Sequence, residues 1–252
     1  MWLMTSEFAA RAADAVPLAA GARVLDVAAG SGTASVVLAE RAAALPNVRV
    51  VASDISPGML AELRRMAEAR GVAAAIETVE EDAMALGAAD ASFDAAISVF
   101  GIPLVPQPPA AAAELARVLR PGGTAVIMWW ERVPATELVL RLLEALDGDP
   151  ADAAAVQARF ATYDSGDKVR ALLEGAGLAV TRVDHVTLPF RLQEVVRDHP
   201  RTLLANPILG KYLASVPHDR ALELLAQTVD QHAADWATAT ASLVVATKKD
   251  EQ

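Results

Sequence analysis

A chain of 252 residues with a formal charge of -10 and no cysteine is long enough for one large domain or two small ones. It can form no disulfide, thiolate metal site or cysteine nucleophile. The acidic balance, with a sequence pI near 4.9, opposes nucleic acid as a partner, because backbone binding depends on clustered Lys and Arg.

Taken in chain order, Ser6 to Val16 reads as a short helix and Arg23 to Ala28 as an apolar strand interrupted by Asp26. A small-residue turn follows, and Thr33 to Ala44 reads as a helix. Val48 to Ser53 is a second strand, Pro57 to Arg70 a helix and Ala74 to Val79 a third strand. Phe93 to Val99 is a fourth strand, Ala110 to Leu119 a helix and Thr124 to Trp130 a fifth strand after the turn Arg120-Pro-Gly-Gly123. Strands alternating with helices predict an α/β fold with a parallel sheet covered on both faces. Such sheets bind ligands beyond the carboxyl ends of their strands.

The alternation lapses from Glu131 to Asp164, where Leu138, Leu142, Leu143 and Leu146 repeat at helical spacing. Lys168 to Glu174 is a helix and Leu178 to Leu188 a sixth strand. Arg191 to Trp236 is helical sequence punctuated by Pro200, Pro207 and Pro217, and Thr240 to Thr247 is a last strand. The expectation is a single domain over 1–252, with a core at 1–130 and helical insertions at 131–166 and 191–238 forming a cap. The longest charge-free run, Ala95 to Ala113, contains Pro103, Pro106, Pro108 and Pro109 and is therefore no spanning helix. Glu7, Arg11 and Asp14 interrupt any apolar core of a secretory signal, so a cytoplasmic protein without a membrane partner is expected.

The stretch Val24-Leu-Asp-Val-Ala-Ala-Gly-Ser-Gly-Thr33 carries most of the functional argument. Gly30 and Gly32 admit backbone angles closed to other residues and leave room for a ligand, while the amides opening the next helix supply donors. Asp54 ends the second strand, where an ionised acceptor suits a ribose diol at roughly 1.5–3 kcal/mol per hydrogen bond. Its ordinary alternative is a helix cap before Pro57. In Glu80-Glu81-Asp82-Ala83, Asp82 is placed to accept an exocyclic adenine amine; the alternatives are a solvated acidic loop or a magnesium site, for which more oxygen ligands would be needed. A nicotinamide dinucleotide is the first rival. Its G-x-G-x-x-G spacing would need glycine at 28, 30 and 33, where this chain has Ala28, Gly30 and Thr33.

Five ordered segments resemble the class I S-adenosylmethionine-dependent methyltransferases, in particular the small-molecule branch with the ubiquinone and menaquinone methyltransferases. They are Asp26-Val-Ala-Ala-Gly-Ser-Gly32, Ala52-Ser-Asp-Ile-Ser-Pro-Gly-Met59, Glu81-Asp-Ala-Met-Ala-Leu86, Ser92-Phe-Asp-Ala-Ala-Ile-Ser-Val-Phe100 and Arg117-Val-Leu-Arg-Pro-Gly-Gly123. Ala28 stands where the family's motif has its first glycine. The resemblance implies a Rossmann-like, doubly wound, seven-stranded and mostly parallel sheet whose last strand is antiparallel, with S-adenosylmethionine as cofactor. It further implies that Asp26, Ala28, Gly30, Ser31 and Gly32 surround the methionine moiety and that Asp54 binds ribose. Ile55 and Met59 would then flank adenine, Asp82 and Ala83 meet its amine edge, and Ser98 and Val99 lie near the donor carboxyl and sulfonium.

The expected activity is methyl transfer to an oxygen, nitrogen or carbon of a small apolar or aromatic metabolite, mainly by positioning. The alternative is a noncatalytic cofactor-binding partner or regulatory subunit. No catalytic residue, metal site or oligomeric state is assigned, and His185, His199, His218, His232 and Glu131 are undistinguished candidates for a base. Asp94 lies at the amino end of its strand and reads as structural. Trp129, Trp130 and Glu131 end the fifth strand and, with Phe100, form the candidate substrate wall; packing of both indoles beneath the first insertion is the alternative. Ile102 and Leu104 would extend that wall, and Trp2 and Phe8 would fold over the cofactor or into the core.

Overall fold

The structure, a computed structural model, describes residues 2–132, 134–146, 149–198, 213, 216–232 and 236–249. In chain order these form α1 (Trp2–Ala13), β1 (Arg23–Val27), α2 (Thr33–Ala42), β2 (Arg49–Asp54), α3 (Pro57–Ala69), β3 (Ile76–Glu80), β4 (Phe93–Val99), α4 (Pro108–Val118) and β5 (Leu119–Arg132). Then come α5 (Pro134–Ala145), α6 (Pro150–Ala161), α7 (Gly166–Gly175), β6 (Leu178–Pro189), α8 (Leu192–Asp198), α9 (His218–Gln231) and β7 (Thr238–Lys248).

The seven strands form one sheet in the order β3-β2-β1-β4-β5-β7-β6. The pairs β1–β2, β2–β3, β1–β4 and β4–β5 are parallel, and β7 runs antiparallel between β5 and β6. This is the Rossmann-like, seven-stranded, mostly parallel sheet anticipated from the sequence. Strand order runs outward in opposite directions from β1 and β4, so the carboxyl ends of these neighbours form the switch point where such sheets open a crevice. Right-handed crossovers put α2 and α3 on one face and α4 on the other.

Two compact parts are distinguishable, one of Thr5–Trp129, Ser165–Val186 and Ser242–Gln252, the other of Met1–Met4, Trp130–Asp164 and Thr187–Ala241. In the first, Val24, Leu25, Val50, Ala52, Ala95, Ile97, Val126 and Ile127 are buried, which is why these strands read as continuous apolar runs. In the second, α5 packs on α6 and α9, and α9 on α8. The helical leucine repeat has a direct counterpart there, because Leu138, Leu142 and Leu143 are buried. Trp236 is also buried and donates its indole N–H to the Val229 carbonyl at 3.0 Å.

Two boundaries differ most from the sequence reading. The first helix starts four residues before Ser6, at Trp2. β5 begins at Leu119, because Phe93 pairs with Leu119 and Ala95 with Thr124, which leaves Arg120 to Gly123 bulging opposite Asp94. Pro121-Gly-Gly123 is therefore a bulge within a strand, with Gly122 at φ 73°. Of the long helical stretch Arg191 to Trp236, α8 and α9 are described, while Pro200 and Pro207 lie outside the described residues.

Candidate functional site

The chain leaves β1 into a turn with alternating left-handed residues, Ala28 at φ 54°, Gly30 at 55° and Gly32 at 84°. Each position has a different reason. A Cβ on Gly32 would lie 2.3 Å from the Leu63 Cγ, so this glycine lets α3 approach the turn. A Cβ on Gly30 would meet nothing within 4 Å, so the chain is open on that side. Ala28 keeps a methyl at a left-handed angle, a strain of about 1–2 kcal/mol. Room for that methyl comes from Gly101, where a Cβ would stand 2.7 Å from the Ala28 Cβ.

Asp54, half-buried at the end of β2, holds the turn from the side. Its carboxylate accepts the Gly30 amide at 2.8 Å through Oδ2 and the Ser56 amide at 2.9 Å through Oδ1. Ser56 itself caps α3, its hydroxyl accepting the Met59 amide at 3.3 Å, so capping leaves Asp54 available. A carboxylate oxygen accepts more than one hydrogen bond, and a diol can use the remaining lone pairs. Ile55 is 68% exposed and Met59 39%, two apolar side chains offered to solvent beside that carboxylate.

Beyond β3, Asp82 is half-buried and accepts the Met84 amide at 2.9 Å, while Ala83 is buried. Glu81 donates its amide to the Asp54 carbonyl at 3.2 Å and accepts the Gly87 amide at 2.9 Å. This acidic stretch is thus a folded loop tied to the end of β2.

Two residues that the resemblance places beside the methionine moiety, Asp26 and Ser98, are buried. Asp26 is 1% exposed, and its carboxylate accepts the Ser35 hydroxyl at 2.5 Å. Burial drives its pKa from 3.8 up to about 7, against the lowering hydrogen bonds from the Ser35 hydroxyl and backbone, and the nearby Asp54 charge adds to the rise. A buried carboxyl here fastens β1 to the first turn of α2. Ser98 is 0% exposed, donates to the Val27 carbonyl at 2.8 Å and accepts the Ile102 amide at 3.1 Å. Its hydroxyl locks β4 to β1 and has no surface for a ligand, whereas Val99 is half-buried.

Phe100 follows at φ 61°, a strained angle for a bulky side chain. Its ring meets Phe8 of α1 edge to face at 5.8 Å, and Thr5 of the same helix donates to Thr33 at 3.4 Å. Phe8 is therefore core, and the side chain of Trp2 lies outside the described residues.

The tryptophan wall is revised by burial. Trp129 is 1% exposed, so its indole has no face for a substrate. Trp130 and Glu131 are half-buried, with Trp130 edge to face on Phe190 at 6.0 Å. Ile102 is buried and Leu104 half-buried. Of the histidines, His185 and His218 are exposed, His232 stacks edge-on against Trp236, and His199 lies outside the described residues. Asp94 accepts the Arg23 amide at 2.8 Å and pairs with Arg120 at the amino edge of the sheet, a structural position. Sequence reading gave no role to Ser35, Gly101 or Glu114, and named Arg117 only as the first residue of the Arg117–Gly123 motif.

Residues 24–123 match the methyltransferase domain family. The demethylmenaquinone methyltransferase of Thermus thermophilus is 42% identical over 118 residues, covering 47% of this chain and 51% of that protein. A ubiquinone/menaquinone biosynthesis C-methyltransferase of Paracoccus denitrificans is 42% identical over 118 residues, 47% of this chain and 46% of that protein. The chain spans about half the length of these relatives. The structure of geranyl diphosphate methyltransferase in complex with S-adenosylmethionine superposes with a TM-score of 0.58 at 16% identity, covering 96% of this chain and 85% of that one; at that identity the likeness is one of fold. Over residues 24–123 and in its fold the chain is similar to the class I S-adenosylmethionine-dependent methyltransferases. Within that class it resembles the ubiquinone and menaquinone methyltransferases.

Proposed function

We propose that the protein transfers the methyl group of S-adenosylmethionine to an oxygen, nitrogen or carbon of a small apolar or aromatic metabolite. The observation that carries this reading is the gathering of three features at the carboxyl ends of β1, β2 and β3: the open side of Gly30, the Asp54 carboxylate and the Asp82–Ala83 loop. The cofactor brings a methyl group already activated on a sulfonium, which leaves as a neutral thioether. The protein's work is then to place nucleophile and methyl carbon in line, worth several kcal/mol of barrier.

In this reading Gly30, Ser31 and the amides opening α2 receive the amino-acid end, and Asp54 accepts the ribose hydroxyls. Ile55 and Met59 cover the adenine and Asp82 and Ala83 take its amine edge. Asp26 and Ser98 hold the turn from behind, as positioning residues. Phe100, just past the carboxyl end of β4, is the proposed acceptor contact. The names of both relatives specify menaquinone or ubiquinone chemistry, which supports an apolar, aromatic acceptor. A cytoplasmic location belongs to the same proposal; among the described residues no helix is long and apolar enough to cross a membrane.

The test is incubation of the protein with methyl-labelled cofactor and a small-molecule extract, read by mass spectrometry. A labelled product absent from the protein-free control is expected. Cofactor binding without any labelled product would favour a noncatalytic binding module.

A further inference from the structure

Arg117, just before the amino end of β5, makes five side-chain hydrogen bonds, and the cofactor motifs alone give it no role. From α4, its Nε and Nη2 grip the Glu114 carboxylate at 2.7 and 2.8 Å. Nη2 also donates to the Leu86 carbonyl at 2.8 Å, and Nη1 donates to the Ala88 carbonyl at 2.8 Å and the Asp90 carboxylate at 2.6 Å. Glu114 in turn accepts the Leu86 amide at 2.7 Å. The guanidinium holds the Glu114 carboxyl below its ordinary pKa, so the pair stays charged.

An i, i+3 ion pair on a helix surface is usually worth only a few tenths of a kcal/mol. Here most of the contacts leave the helix. They end on the loop 86–90, whose other side is fixed by the Ala91 amide on the Arg117 carbonyl at 3.0 Å and the Ser92 amide on the Val118 carbonyl at 2.8 Å. Asp82 lies four residues before Leu86, and its segment is anchored at the opposite end by Glu81 on the Asp54 carbonyl. Between these anchors the Asp82 carboxylate accepts the Met84 amide at 2.9 Å, and Glu81 accepts the Gly87 amide at 2.9 Å. A fork of fixed donors holding neutral carbonyls at several points is a geometry that arginine supplies and lysine does not.

We infer that the Glu114–Arg117 pair is a positioning device that sets the Asp82–Ala83 edge for the exocyclic amine of a purine, and thereby determines adenine specificity. The inference rests on the cofactor reading above. Arg117 touches no ligand in this scheme; it acts through the loop.

The experiment is calorimetric titration of the full chain with S-adenosylhomocysteine and with S-inosylhomocysteine, in which an oxo group replaces the 6-amine. The wild-type protein is expected to prefer the adenine ligand by roughly tenfold or more, since a carboxylate facing an oxo group leaves two acceptors opposed. Arg117→Met is expected to reduce that preference to about threefold or less. Should Arg117→Met fail to fold, Glu114→Gln keeps an acceptor for Leu86 but weakens the grip on the guanidinium. It is expected to move the preference in the same direction. A variant that melts earlier yet keeps the wild-type preference would overturn the inference and leave Arg117 a staple of stability alone. Equal binding of both ligands by the wild type would also overturn it. Binding of neither ligand by the wild type would instead defeat the cofactor reading itself.

Discussion

The carboxylate of Asp54 accepts the amide of Gly30 at 2.8 Å, a bond that ties the end of β2 to the middle of the turn after β1. The acceptor proposed for the ribose therefore also shapes the turn proposed for the amino-acid end. One residue pre-organises both halves of the pocket, and ordering that is present before binding does not have to be supplied by the ligand.

Replacing Asp54 should accordingly have a compound effect. Asp54→Ala removes the acceptor and frees the turn, and is expected to weaken S-adenosylhomocysteine binding tenfold or more, about 1.4 kcal/mol. Asp54→Asn keeps one oxygen and should fall between. Calorimetry on both variants checks this, and an Asp54→Ala protein of unchanged affinity would remove Asp54 from the site.

Gly30 and Gly32 should separate binding from folding. Gly30→Ala adds a methyl into open space, at a left-handed angle that costs about 1–2 kcal/mol; the chain should still fold but bind cofactor poorly. Gly32→Ala carries the same strain and also drives a methyl against Leu63, adding about 1–3 kcal/mol of overpacking. Urea unfolding and titration of the two variants should show the larger stability loss at Gly32. Equal stability losses would contradict the different roles.

Ala28 holds its methyl at a strained left-handed angle. Ala28→Gly is expected to raise the unfolding free energy by up to about 1 kcal/mol, relief at φ 54° outweighing the added freedom of the unfolded chain. A loss of stability in thermal or urea unfolding would show that the methyl's packing against Gly101 is worth more than the strain.

Asp26 makes a pH-dependent contribution whose sign follows from its raised pKa. The folded chain binds a proton more tightly at Asp26 than the unfolded chain does, so stability falls as pH rises from near 3.8 towards about 7. A shift of that size corresponds to something on the order of 4 kcal/mol. Asp26→Asn has no proton to lose and lacks this fall. Urea unfolding between pH 5 and pH 8 should show the wild type losing stability relative to the variant, and parallel curves would contradict the buried titration.

What the sequence made legible were features encoded locally. The apolar runs of β1, β2 and β4, the glycine spacing and the acids at the ends of β2 and β3 announce themselves in short windows, and Phe93–Val99 is a strand over the range expected. What remained hidden depends on residues distant in the chain. The partnership of Asp26 with Ser35 gives no periodic signal, and Gly101 looks like a loop glycine until Ala28 is placed beside it. Trp129 at a strand end suggested a substrate wall, but the depth of burial at the last positions of β5 is set by tertiary packing. Arg120-Pro-Gly-Gly123 carries turn chemistry, and only pairing with β4 turns it into a bulge.

The most direct test is titration of the wild-type chain with S-adenosylmethionine at neutral pH. Saturable one-to-one binding that Asp54→Ala weakens at least tenfold is the expected result. No heat of binding from a correctly folded chain at millimolar cofactor would contradict the reading of this sheet edge as the S-adenosylmethionine site.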